Sequence, residues 1–267
     1  MSLAPAAALR LTEVLAAAGV LLCSLEYLAR PQMLADTSLS SWPVLRLRRP
    51  RFATGALGAA LSRTVSYPRV LAVLAVRAAA AASLIPTELH GAVHTALLAT
   101  IVVSTAALNL RGLSGGEGAD QVMRITFCVL LLTAVHPTTA TIRLALWFLA
   151  LQACLAYLVS GIYKLTSPVW RDGTGLACVL RTRRYGHWRL GATLTAHPAL
   201  ARTASLGVSL LETAFPLVLI APASWLPVFL GAGLLFHLGC AAITGLNCFV
   251  WAFTALYPAV AYVVLSG

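Results

Sequence analysis

One residue stands apart among those able to do chemistry. Of the 19 Lys and Arg side chains, a single one is a lysine, Lys164. Wherever a generic positive charge suffices, this sequence carries Arg. A desolvated lysine can give up its proton, whereas a guanidinium effectively cannot. Lys164 closes the apolar stretch LALWFLALQACLAYLVSGIYKL. A buried amine serving as general base is therefore one expectation. The other is a lysine whose stem lies in lipid while its head snorkels to the interface. Tyr157, Ser160 and Gly161 lie seven, four and three residues before it. Helical spacing puts all three near its face, and Gly161 admits a neighbouring helix or ligand. In the TSPVWRDGTGL that follows, Pro168 stops the helix and Trp170 suits an interface. Gly173 and Gly175 there permit a tight turn.

Other ionisable residues interrupt apolar runs. Glu212, within LGVSLLETAFPLVLI, needs a proton or a partner if it is buried. His237, in LLFHLGCAAITGLNCFVW, is expected either to bond a neighbouring helix or to line a ligand cavity. His90 and His94 follow Glu88 at the start of an apolar run. At i and i+4 they would share a helix face, where two histidines can hold a metal. No third ligand lies nearby, so a polar patch at the membrane surface is the plainer reading and no metal is expected. Glu13 and Glu26 sit nearer the ends of their run. Asp120, in GEGADQVMRI, is suited to cap a helix N-terminus. The six cysteines include no CxxC and read as buried small hydrophobes, not as a disulfide framework or zinc site.

The elements that must position these residues are membrane helices. The chain has 267 residues, 60% hydrophobic and 10% charged. A soluble domain is about 45–50% apolar and about 25% charged, so that class is excluded. Disorder is excluded by hydrophobicity, and a transmembrane barrel by the length of the apolar stretches. A spanning helix needs about 20 mainly apolar residues. Runs at roughly 8–29, 67–86, 88–109, 120–136, 141–165, 203–221, 224–243 and 247–265 qualify. The fold class expected is all-α, a polytopic membrane helical bundle of about eight spans forming one domain over residues 1–267. The first run is expected to be a retained span and not a cleaved signal. The piece 51–64 reads as an interfacial helix, and 166–202 as a functional or re-entrant connection.

The net charge of +11 would point to nucleic acid in a soluble protein. Here the charges lie between apolar runs, where they match lipid head groups and set topology, so no nucleic acid partner is expected. One basic stretch holds Arg46, Arg48, Arg49 and Arg51. The other holds Arg171, Arg181, Arg183, Arg184, Arg189 and Arg202. With eight spans both fall on one side. The positive-inside rule makes that side cytoplasmic and leaves both termini outside.

Three stretches together resemble the bacterial HTTM (horizontally transferred transmembrane domain) family. GEGADQVMRITFCVLLL resembles its Gly-Gly-Asp-Gln helix opening, here Gly-Ala-Asp-Gln with Asp120 and Gln121. YLVSGIYKLTSPVWRDGTGL resembles its Ala-Gly-x-x-Lys-Leu…Trp…Gly element, the most specific of the three, with Lys164, Trp170 and Gly173. FHLGCAAITGLNCFVWAFTALYP resembles its late Phe-His…Gly-Leu…Phe helices. The matches keep the family's order and cover most of residues 90–260.

That family includes the membrane part of vitamin K-dependent γ-glutamyl carboxylase and the membrane subunit that matures a bacterial sporulation-delaying peptide toxin. The resemblance implies a lysine base linked to hydroquinone oxygenation, a role that would fall on Lys164, and it carries the late-helix histidine onto His237. A quinone or hydroquinone would then be the cofactor. A peptide substrate and a small partner protein would join the lipid bilayer as partners, in the cell membrane. The carboxylase's Asn-Asn-His segment has no counterpart, although His90 or His94 is roughly placed for it. The carboxylase's large extramembrane domain has no counterpart among these 267 residues, so the small bacterial type is the expected match. In the carboxylase the lysine lies on the non-cytoplasmic side, opposite to the side the charge count gives. Two other readings stand beside this one. One is a non-catalytic scaffold or export-associated subunit. The other is a quinone-linked redox subunit like the DoxX and MauE families, which have about four spans and lack the late histidine helices.

Overall fold

The computed structural model describes residues 3–38, 41–48, 54–86, 88–111, 118–182 and 186–266. Arg49, Arg51, Arg183, Arg184 and the Gly116–Glu117 pair of the first motif lie outside the described residues. Among the described residues every regular element is a helix and no strand occurs. In chain order these are α1 (Pro5–Ala29), α2 (Trp42–Leu45), α3 (Gly55–Val65), α4 (Arg69–Leu84), α5 (Gly91–Asn109), α6 (Gly118–Val135) and α7 (Thr139–Thr166). They continue with α8 (Pro168–Arg171), α9 (Thr174–Leu180), α10 (Trp188–Ala196), α11 (Pro198–Ala214), α12 (Leu226–Thr244), α13 (Asn247–Thr254) and α14 (Tyr257–Ser266).

Six stretches are long and apolar enough to cross a membrane: α1, α5, α6, α7, the α12 stretch and α13 with α14. The protein is thus a multi-pass helical membrane protein. The expected span at 67–86 is only the 16 residues of α4. With α3 it makes a seventh candidate, bent by 74° where Pro68 cannot continue the helix of α3. The expected span at 203–221 is divided. α11 gives way to a 3₁₀ turn over Phe215–Leu219, because Pro216 offers no N–H to the helical ladder. Length and composition therefore support six crossings, or seven with the bent pair, against the eight expected. Of the 51–64 piece, α3 holds the residues from Gly55 on, and the described part of the 166–202 connection is built of the short helices α8, α9 and α10 with the start of α11.

Contacts divide the chain into two compact units. In the unit of residues 10–145, Leu34, Val70 and Leu74 form a small apolar cluster with Leu28, Leu71 and Leu108 packed against it. Buried arginines tie its elements together. Arg77 Nε donates to Ser24 Oγ at 3.0 Å, and Arg111 Nη2 donates to the Leu34 carbonyl at 2.8 Å.

The unit of residues 1–9 with 146–267 is organised by α7. Its inward stripe, Leu146, Leu149, Ala150, Ala153, Tyr157 and Gly161, is buried. Its other face shows Leu151, Leu155, Val159 and Ile162 to the outside. An apolar stripe facing out is what lipid selects, since water would call for polar residues there. The cysteine reading needs correction. All six are free, but only Cys154 is buried, while Cys128 and Cys178 are exposed. In a membrane helix an outward position takes an apolar side chain at no cost, so an apolar run does not imply protein burial.

Candidate functional site

Lys164 sits in the last turn of α7, which Thr166 ends and Pro168 follows as the first residue of α8. Its Nζ donates to Glu212 Oε2 in a short contact and to Ser160 Oγ at 2.9 Å. Ser160 Oγ in turn donates to Glu212 Oε1 at 3.2 Å. Both carboxylate oxygens are thereby engaged. The side chain of Glu212 is 5% exposed and that of Lys164 is 15% exposed. The head of Lys164 turns to a buried carboxylate, and an unpaired Glu212 would be far costlier there than a paired one. The indole of Trp170 lies 5.4 Å from Nζ and adds a cation–π contact.

Glu212 reaches Lys164 because α11 carries a stripe of polar side chains at helical spacing. Ser205, Ser209 and Glu212 are all buried on one face. The serines satisfy themselves on backbone carbonyls, Ser205 on Trp170 O at 2.5 Å and Ser209 on Ser205 O at 2.7 Å. Gly161 lets the two helices touch. A Cβ there would lie 2.3 Å from Thr213 Oγ1 and 2.9 Å from Ser209 O. Gly173 makes a second close approach. Its φ of +88° favours glycine, and a Cβ would lie 2.4 Å from the Ala201 carbonyl carbon.

Two turns back along α7, Tyr157 OH contacts His237 Nε2 at 2.7 Å and Tyr257 OH at 3.0 Å. Aromatic rings enclose this trio. Phe215 stacks on Tyr157 at 4.0 Å between centroids, and Phe253 stacks on His237 at 4.2 Å. His237 is 2% exposed, and its Nδ1 has no hydrogen-bond partner among the described residues. Among the described residues no hydrogen bond joins this trio to the lysine cluster.

Lys164, Tyr157, Ser160, Gly161, His237, Glu212, Trp170 and Gly173 thus come together in one unit. The remaining candidates lie in the other. His94 Nε2 bonds Glu13 Oε2 at 3.0 Å, and Arg10 Nη1 donates to Glu13 Oε1 at 2.7 Å. His90 is not on the helix with His94. It is the extended residue just before α5, which begins at Gly91, so the i, i+4 pair does not form. No group of three or more His, Cys, Asp or Glu placed to hold a metal occurs among the described residues. Asp120 lies inside the first turn of α6 and not at its cap. Gln121 beside it is exposed. Tyr257, Phe215 and Phe253 were not singled out by sequence. Aromatics in apolar runs look like ordinary core, and the only hint was the Tyr-Pro pair that opens α14.

The lysine cluster is chemically a shared proton between an amine and a carboxylate. With the proton on nitrogen it is an ion pair. With the proton on Glu212 it is a neutral amine and acid. In that second form Lys164 Nζ carries a free lone pair. Outside the spans, Asp172 accepts from Thr174 N at 2.8 Å and Thr174 Oγ1 at 2.6 Å. Those bonds hold its carboxyl below the usual carboxylate range. No protein-family model, no characterised protein and no solved structure matches this chain.

Proposed function

We propose that this protein is an HTTM-type membrane enzyme in which Lys164, Glu212 and Ser160 form an intramembrane proton-transfer site. The carrying observation is that the only lysine of the chain is hydrogen-bonded to a buried carboxylate. Glu212 takes the ammonium proton, Ser160 holds the carboxylate in place, and the freed amine accepts a proton from substrate. The substrate is lipid-soluble, or a peptide brought by a partner protein and matured for secretion. The resemblance adds a quinone or hydroquinone. The unpartnered His237 Nδ1, beside the rings of Phe249 and Phe253, would hold a planar ring through one of its oxygens. Such a group would supply the redox step, and this chain's residues the proton.

Eight crossings in the cell membrane also belong to this reading. α11 runs beside the end of α7 in the opposite direction, with Ser205 at Trp170, Glu212 at Lys164 and Phe215 at Tyr157. In this reading the stretch 198–225, α11 with the 3₁₀ turn that follows it, passes from one side to the other as an interrupted span, which is tolerated where it is packed in protein. The bent pair supplies the remaining crossing.

The test is Lys164→Arg in cells carrying the neighbouring genes, with product yield measured beside a membrane-insertion control. Arg keeps the positive charge but holds its proton. Loss of product with normal insertion is expected, and wild-type yield would remove the base role. The pairing with Glu212 favours one rival, a non-catalytic scaffold in which the ion pair only clamps α7 to α11. In that case Arg, which also pairs with carboxylates, would substitute well.

A further inference from the structure

The connection 166–202 carries six arginines against one acid, Asp172, a balance of 6 − 1 = +5 with His neutral. It encloses a cleft of about 160 Å³ between α9, α10 and the start of α11. Ala177, Leu194 and Pro198 give it apolar walls, and Thr174, Thr195 and Arg181 give it polar ones. The Arg181 guanidinium makes no hydrogen bond or ion pair with any described residue. Its stem is placed by Gly191, where a Cβ would come 2.7 Å from Arg181 Cγ. The one acid of the cleft is already committed to Thr174.

Size and depth narrow the ligand. The cleft is smaller than the roughly 300 Å³ of pockets that bury drug-sized ligands, and it has room for a compact polar group. The cleft wall begins at Asp172, just past the end of membrane helix α7 at Thr166, so it lies at head-group level. The surface around it is amphipathic. Trp188 is 72% exposed with the Arg189 guanidinium 5.5 Å over its ring, and Leu200 is 52% exposed. Exposed Trp and Arg side by side are the signature of a membrane interface.

We propose that this cleft binds the head group of an anionic phospholipid, with the phosphodiester on Arg181 and the acyl chains beyond the apolar rim. The site is independent of any catalysis at Lys164. It would anchor the short helices α8–α10 against the membrane surface.

Cys178 lines the cleft and is exposed, so its alkylation reports occupancy. The full-length protein in neutral detergent is titrated with phosphatidylglycerol or phosphatidylcholine, and the alkylation rate of Cys178 is followed by peptide mass spectrometry. Alkylation of the same protein in a denaturing detergent gives the unprotected rate. Phosphatidylglycerol should protect Cys178 and phosphatidylcholine should not. Arg181→Gln should weaken protection about fivefold, the scale of one arginine at an anionic surface, while Arg181→Lys keeps most of it and controls for folding. Equal protection by the two lipids would overturn the proposal, as would unchanged protection in Arg181→Gln. Protection by inorganic phosphate alone, or by an acidic peptide alone, would assign the cleft to a free anion or a protein partner and overturn the lipid assignment.

Discussion

Lys164 and Glu212, 48 residues apart in sequence, meet where the end of α7 lies against the end of α11. Two isolated costs become one tolerable arrangement there. Removing either partner leaves the other charge buried, which costs about 3–5 kcal/mol. Lys164→Met and Glu212→Leu should each destabilise the protein on that scale. The double variant Lys164→Met/Glu212→Leu should recover most of the loss, since an apolar pair of similar volume often matches a buried ion pair. Reversible unfolding in mixed micelles measures the cycle. Simple additivity of the two single losses would show that the pair is not coupled.

Tyr157 is the hub of the aromatic trio, and its hydroxyl serves two partners. Tyr157→Phe leaves both His237 Nε2 and the Tyr257 hydroxyl without it, at a cost of about 1–3 kcal/mol. Tyr257→Phe should cost less, because Tyr157 keeps His237. The same unfolding measurement ranks the two, and the reverse order would contradict the assigned hub.

Gly161 and Gly207 form a matched pair of probes. A Cβ at Gly161 would meet Thr213 Oγ1 at 2.3 Å, whereas at Gly207 it would meet nothing within 4 Å. Gly161→Ala should cost about 1–3 kcal/mol by overpacking. It should also lower product yield, because it spreads α7 from α11 beside the lysine. Gly207→Ala lies within α11 and should be neutral or stabilise by up to about 1 kcal/mol. Equal effects of the two variants would mean that the close approach at Gly161 does not matter.

Topology is decided by reporters fused at the two ends. Eight crossings put both termini on the same side, whereas seven put them on opposite sides. A third reporter in the 186–196 segment, beside Arg189, tests the positive-inside reading. That segment should lie opposite both termini, in the cytoplasm. Its appearance outside the cytoplasm would support the orientation that the carboxylase resemblance implies.

Class and most elements were legible in the sequence, because they depend on properties local to about 20 residues. Continuous apolar runs gave helices and the lone lysine marked the end of α7, whereas the breaks at Pro68 and Pro216 fell inside runs read as continuous. His90 and Asp120 were misplaced by only a few residues, because α5 and α6 begin where no local signal is strong. What the sequence could not say was which polar residue answers which. Glu212 needed a partner, but nothing within α11 names Lys164. Tyr157 reaches His237 and Tyr257 across 80 and 100 residues. Those choices were made by packing, where Gly161 lets two backbones touch and the cost of an unpaired buried charge or hydroxyl leaves one arrangement standing.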